Sequence, residues 1–219
     1  MHVKYCGFTQ LSDVQTAAQL GANAIGLVFY PPSPRAVTLA QAQTLSAAVP
    51  AFMSVVALVV NMSQDELIEL ADMVSFDIIQ FHGDETPEQC EQLASTINKR
   101  WIKALRVNAE QDTTDSVSIQ IDRFAAAGAS SILLDAYHQH KYGGTGARFD
   151  WSLIPQNSSL PIILAGGLDA DNVAATLELP IYAVDVSGGI EQDKGKKDAA
   201  KMRAFMKAVK RDRWQNDDR

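Results

Sequence analysis

Cysteine is scarce in this 219-residue chain: Cys6 and Cys90 are the only two, far apart in sequence. That excludes a disulfide-stapled scaffold and points to a reducing, cytoplasmic setting. Long apolar runs are missing too. The longest, residues 55–60, is far too short to span a bilayer. The N-terminal MHVKYCGFT has no apolar stretch after a basic start, so no signal peptide is expected. Positive charge is in deficit, with 19 Lys and Arg against 26 Asp and Glu and a net charge of −7. An acidic surface argues against nucleic acid as a partner, and an anionic ligand would need donors gathered locally. Metal spacing is absent: His138 and His140 have no cysteine or acidic partner at ligand distance in sequence.

What is present is an alternation of short apolar runs and amphipathic segments. Hydrophobic residues make up 47% of the chain, enough for a substantial core. Strands are predicted over 3–6, 24–29, 53–60, 76–81, 101–105, 131–135, 162–165 and 181–186. Several are apolar throughout, as expected when both faces of a parallel sheet are covered. Helices are expected between them. Thr38 caps one, Ser63 and Glu66 match a capping box, and Thr86-Pro87 opens a third. Further helices are expected over 115–127, 150–154, 169–177 and 197–210. This describes one domain over 1–210, with a polar tail over 211–219. Eight strand–helix units in about 200–250 residues predict a single-domain (βα)8 TIM barrel of the α/β class. A doubly wound open sheet is the alternative. Against it, the first turn reads Cys6-Gly7-Phe8-Thr9, not G-x-G-x-x-G.

In a barrel the C-terminal strand ends collect the chemistry. The stretch 132–151 is the most informative. An apolar strand ends on Asp135, and Gly143-Gly144-Thr145-Gly146 follows. A carboxylate beside bare backbone suggests acid–base work on a phosphorylated substrate; a solvated strand end is the plainer alternative. Gly166-Gly167 and Ser187-Gly188-Gly189 end strands seven and eight, where barrels usually grip phosphate. Cys6 is either a small buried hydrophobe or a thiolate near cations. Arg35 follows three prolines, Pro31, Pro32 and Pro34, and is either solvated or a bidentate carboxylate clamp. His82 reads as a hydrogen-bonded structural histidine rather than a base.

These residues together resemble the phosphoribosylanthranilate isomerases of tryptophan biosynthesis. The matching elements are KYCGFT (4–9), FYPPSPR (29–35), QFHGDE (80–85), Leu134-Asp135 with the 143–146 glycine turn, FDW (149–151), LAGGL (164–168) and VDVSGGIE (184–191). They cover nearly the whole chain in order. The resemblance implies an Amadori rearrangement without metal or organic cofactor. N-(5-phosphoribosyl)anthranilate becomes 1-(o-carboxyphenylamino)-1-deoxyribulose 5-phosphate. It further implies Cys6 as general base, Asp135 as general acid and Arg35 on the anthranilate carboxylate. Asp185 would lie near the substrate's amino group, with His82 beside the sugar. Gly144, Gly166, Gly167, Ser187 and Gly188 would hold phosphate. A thiolate suits the base role if nearby cations lower its pKa, and Asp135 must enter the cycle protonated. Gly188 departs from the pattern, which carries a second serine there. The polar segment 136–142 has the length of a lid. The chain is expected to be monofunctional, monomeric or homodimeric, with a phosphosugar-anthranilate as its small-molecule substrate. The nearest rivals are other phosphosugar barrels: an indole-glycerol-phosphate synthase, which would want a catalytic Lys and Glu, or a ribulose-phosphate epimerase, which would want paired carboxylates or metal-binding histidines. A rival of another class is a non-catalytic phosphosugar-binding protein, which need not keep Cys6 and Asp135.

Overall fold

Eight parallel strands close on themselves in sequence order, with the first strand pairing the eighth. The computed structural model describes residues 1–136 and 150–210. The strands are β1 (His2–Cys6), β2 (Ala24–Phe29), β3 (Ser54–Val59), β4 (Ile78–Phe81), β5 (Arg100–Val107), β6 (Ser131–Ala136), β7 (Ile162–Leu164) and β8 (Ala183–Val186). Helices α1 (Leu11–Leu20), α2 (Leu39–Ala47), α3 (Gln64–Met73), α4 (Pro87–Thr96) and α5 (Thr114–Ala126) follow the first five strands. Helix α6 (Ala199–Lys210) closes the described chain. The architecture is the (βα)8 barrel the sequence predicts. No helix among the described residues is long and apolar enough to cross a membrane.

Local chemistry sets where the helices begin. Thr38 with Gln41, Ser63 with Glu66, Thr86 with Gln89 and Thr113 with Ser116 each form a reciprocal capping box. Such caps contribute ~1 kcal/mol apiece by satisfying amides that have no partner within the helix. Pro87 occupies the first turn of α4, where its missing N–H costs nothing.

Three expectations need correction. Residues 169–177 contain no α-helix, only a 3-10 turn over Val173–Thr176. Asp169 and Asn172 compete for the backbone: Asp169 Oδ1 accepts from the amides of Asp171 and Asn172, both at 3.0 Å. Asn172 Nδ2 meanwhile donates to the Gly167 carbonyl at 2.9 Å. Side chains that bond their own loop displace the helical ladder. The short helix expected over 150–154 is likewise a 3-10 turn, Trp151–Leu153, capped by Asp150. Finally, Lys197 is not helical. Lys196–Lys197 (β10) pairs antiparallel with Glu191–Asp193 (β9), and α6 starts only after Asp198, whose carboxylate caps it. The tail 211–219 lies outside the described residues.

Two apolar layers result from the alternation of side chains along each strand. Outward residues such as Tyr5, Ile25, Ile79, Trp101, Ile132 and Val184 pack under the helices. Inward residues Ile102, Ala104, Leu133, Ile163, Ala165 and Ala183 fill the barrel interior as a separate cluster. That packed floor fixes the strand ends above it.

Candidate active site at the strand ends

On β1, Lys4 and Cys6 are two residues apart and so share the inward face. Both are buried, Cys6 at 6% exposure. Cys6 is in register with Gly26 of β2, and Lys4 with Asp185 of β8. Gly26 is required by close approach. A Cβ there would stand 2.7 Å from Cys6 Sγ and 3.2 Å from Lys4 Nζ. Asp185 Oδ1 accepts from Lys4 Nζ at 3.0 Å, wholly inside the barrel. Neither Lys4 nor Gly26 was singled out from sequence. The signal was there for Lys4: a charge two residues before Cys6 in an apolar strand must share its face.

The expected cations do surround Cys6, but they do not prevail over burial. Burial pushes the thiol above its ordinary value; Lys4 and Lys197 pull it down, and Asp185 pushes it up. Burial also works against the Lys4 ammonium, yet Asp185 and Cys6 together more than offset it and Lys4 is held above its ordinary value.

Arg35 is buried and its guanidinium is already engaged. Nε donates to Glu191 Oε1 at 2.8 Å and Nη2 to Glu191 Oε2 at 2.7 Å. That hydrogen-bonded fork holds the guanidinium above its usual value. Glu191 Oε1 also accepts from Lys197 Nζ at 2.9 Å. Lys197 in turn donates to the Cys6 carbonyl at 2.5 Å and the Ser187 carbonyl at 3.3 Å. Burial raises the Glu191 carboxyl, but Arg35 and Lys197 outweigh it and the carboxyl sits below its usual range. The prolines of the loop position Arg35 only in part; Glu191 fixes its head. Glu191 was part of a sequence motif without a role, and Lys197 was missed because the hairpin β9–β10 leaves no apolar period to read.

Across the barrel, Asp135 is the penultimate residue of β6, with 4% exposure. Its Oδ1 accepts from the Ala136 amide at 2.9 Å, and its Oδ2 lies 3.4 Å from His82 Nε2. His82 Nδ1 lies 3.0 Å from Gln80 Nε2, so the ring is held as the sequence reading expected. The Nε2 atom makes no hydrogen bond of good geometry among the described residues. β1 and β6 stand three strands apart around the barrel, so Cys6 and Asp135 face one interior from different sides.

Backbone lines the seam of the last two strands. Gly166 and Gly167 have φ of 86° and 61°, conformations that side chains disfavour. A Cβ at Gly189 would collide with the Leu168 carbonyl. At Gly188 the nearest atom to a Cβ would be Arg35 Nη2 at 3.7 Å, so nothing steric demands glycine there. The amides of Gly166, Gly167 and Gly188 donate to no carbonyl among the described residues. Ser187 Oγ is buried without a hydrogen-bond partner among them. Gly144, His138 and His140 lie outside the described residues. A cleft of about 500 Å³ is lined by the loops after β3 and β4 and by α4; its carboxylates Glu85 and Asp84 are taken by Lys103 and Arg106.

Eight parallel strands with ionisable side chains gathered at their C-terminal ends define an enzyme of the (βα)8 class. The comparisons narrow the class. The family profile described as N-(5'phosphoribosyl)anthranilate (PRA) isomerase matches residues 3–208. The isomerase of Acinetobacter calcoaceticus is 49% identical over 207 residues, 94% of this chain and 95% of that protein. A crystal structure of a phosphoribosyl anthranilate isomerase in complex with reduced 1-(o-carboxyphenylamino)-1-deoxyribulose 5-phosphate superposes with TM-score 0.81. It is 32% identical and covers 96% of this chain and 98% of that one. Monomers generated from the dimeric isomerase of Thermotoga maritima give TM-score 0.79 at 30% identity, covering 96% and 98%. The chain belongs to the phosphoribosylanthranilate isomerase family.

Proposed function

We infer that this chain catalyses the reaction its family is named for, an aldose-to-ketose isomerisation in tryptophan biosynthesis. N-(5-phosphoribosyl)anthranilate becomes 1-(o-carboxyphenylamino)-1-deoxyribulose 5-phosphate. The carrying observation is the pair of buried groups, Cys6 and Asp135, facing one interior from strands three positions apart. That separation suits an acid and a base on opposite sides of one sugar. The Asp135 carboxyl gives its proton to the furanose ring oxygen as the C1–O bond breaks, leaving a Schiff-base-like cation. The Cys6 thiolate takes the proton from C2, and the resulting enolamine becomes the ketone. His82, held by Gln80, stands beside Asp135 and faces the sugar.

Phosphate sits on Ser187 Oγ and on the amides of Gly166, Gly167 and Gly188, which donate to no carbonyl among the described residues, and the family resemblance adds Gly144 to that grip. Arg35 meets the anthranilate carboxylate with the guanidinium edge that Glu191 leaves unused. Asp185 lies near the substrate's amino group. The enzyme works as a monomer or homodimer, and its two unpaired cysteines fit the reducing cytoplasm. The test is the loss of phosphoribosylanthranilate fluorescence on adding purified protein in the presence of a chelator. Unchanged fluorescence, with the protein folded, would overturn the assignment.

A further inference from the structure

The closing seam between β1 and β8 buries more charge than the substrate grip accounts for. Corresponding inward positions deeper in the barrel are Ile, Leu and Ala. Lys4 and Asp185 instead place an ammonium and a carboxylate inside, 5% and 8% exposed. A buried ion pair usually stabilises no better than apolar side chains of the same volume, because both charges lose their water. Stability therefore does not explain the pair.

Its position does. Lys4 and Cys6 are successive inward residues of β1, and both aim at the space a side chain at Gly26 would fill. We propose that Lys4 is a positioning residue for Cys6: Asp185 fixes its ammonium beneath the sulfur, and that counter-charge lets a buried thiol ionise for the reaction. This rests on Cys6 being the base. The thiol proton leaves for water before the substrate fills the mouth. Lys4 keeps its charge throughout, so it neither takes nor gives that proton.

The other groups facing Cys6 act in both senses. Asp185 on β8 opposes the thiolate. Lys197 of β10 holds the Cys6 carbonyl, and Arg35 from the loop after β2 adds positive charge, although Glu191 largely answers both. Gly26 and Val28 of β2 and Leu58 of β3 bring no charge. Among the described residues Lys4 is thus the cation beside the sulfur whose own partner, Asp185, is shared with no second cation.

The direct readout is the pH dependence of Cys6 alkylation by iodoacetamide, with peptide mass spectrometry separating Cys6 from Cys90. In Lys4→Met the midpoint should move up by about 1–2 pH units, and Lys4→Arg should leave it near wild type. The rising limb of kcat/KM against pH should move with it. A folded Lys4→Met whose Cys6 midpoint is unchanged overturns the proposal. Should Lys4→Met fail to fold, the wild-type chain still decides. Its Lys4 15Nζ resonance should inflect at the alkylation midpoint, and the inflection should vanish in Cys6→Ala. Absence of the inflection overturns the proposal equally. Wild-type turnover in Cys6→Ser would instead remove the base assignment while leaving the alkylation shift intact.

Discussion

Gly26→Ala is the sharpest perturbation this geometry offers, because it adds one methyl and removes nothing. The added Cβ would lie 2.7 Å from Cys6 Sγ. Comfortable separations of this kind are about 3.5–4.0 Å, so the sulfur or its strand must shift by ~1 Å. A shift of that size at a reacting group costs roughly 10²-fold in rate. The stability effect is smaller. Overpacking costs ~1–3 kcal/mol, partly offset by the ~0.4–1 kcal/mol that alanine contributes by restricting the unfolded chain. Gly26 is not among the residues with positive φ, so no backbone strain is added. The expected result is a protein that melts a few degrees lower, with kcat down about 10²-fold and KM little changed. Fluorescence-monitored turnover and thermal denaturation measure the two effects separately. Wild-type kcat in folded Gly26→Ala would refute both the placement of Cys6 Sγ and its part in the reaction.

Cys6→Ser and Asp135→Asn should each lower turnover by at least ~10²-fold with the circular dichroism spectrum intact; near-wild-type turnover removes the residue from the mechanism. Arg35→Lys keeps a charge but loses the fork. Substrate KM should rise while inhibition by inorganic phosphate stays as before, and equal weakening of both would argue against the clamp. Gly188→Ser should fold normally, since its Cβ meets only Arg35 Nη2 at 3.7 Å, and should bind substrate at least as tightly; a collapse of affinity would contradict the phosphate assignment. The Glu191 carboxyl is depressed in the fold, so the unfolded chain binds its proton first as pH falls. Its contribution is therefore full above its ordinary value of 4.5 and is lost below, as pH falls through the folded value. Melting temperature should drop over that window, and Glu191→Gln should flatten the drop.

The fold was legible because eight apolar runs, spaced by amphipathic segments, leave few other closed solutions. Cys6, Asp135 and the two glycine turns were legible because strand-end placement follows from that count. The helix over 169–177 was misread because apolar Val173, Ala174 and Leu177 carry a helical period, while Asp169 and Asn172 spend their side chains on the loop backbone. Lys197 was misread for a related reason: the capping residue Asp198 alone separates it from α6, so the helical period runs back into the hairpin strand. Arg35 shows a different limit. Its proline loop announces a held arginine, but the partner that holds it, Glu191, lies 156 residues away. Pairing across the closing seam is a tertiary fact, set by register between the first and last strands and invisible to local pattern.

That seam explains why chemistry and barrel closure depend on the same side chains. Lys4–Asp185 joins β1 to β8 across 181 residues of sequence. Arg35, Glu191 and Lys197 join the loop after β2 to the hairpin after β8, and Lys197 reaches back to the Cys6 carbonyl. Removing one member of such a buried pair leaves the other charge uncompensated and costs ~3–5 kcal/mol. Domains of this kind hold only ~5–15 kcal/mol in total. A chain that has folded β1 to β7 alone would have Lys4 and Arg35 without their carboxylates, Cys6 without Lys197, and no Ser187. The acid side of the site, with His82 against Asp135, needs only the β4–β5–β6 part of the sheet and no residue of the seam. The base side exists only once the eighth strand and its hairpin are in place. Activity therefore reports closure of the barrel, and refolding followed by turnover should lag refolding followed by helical signal if the seam forms last.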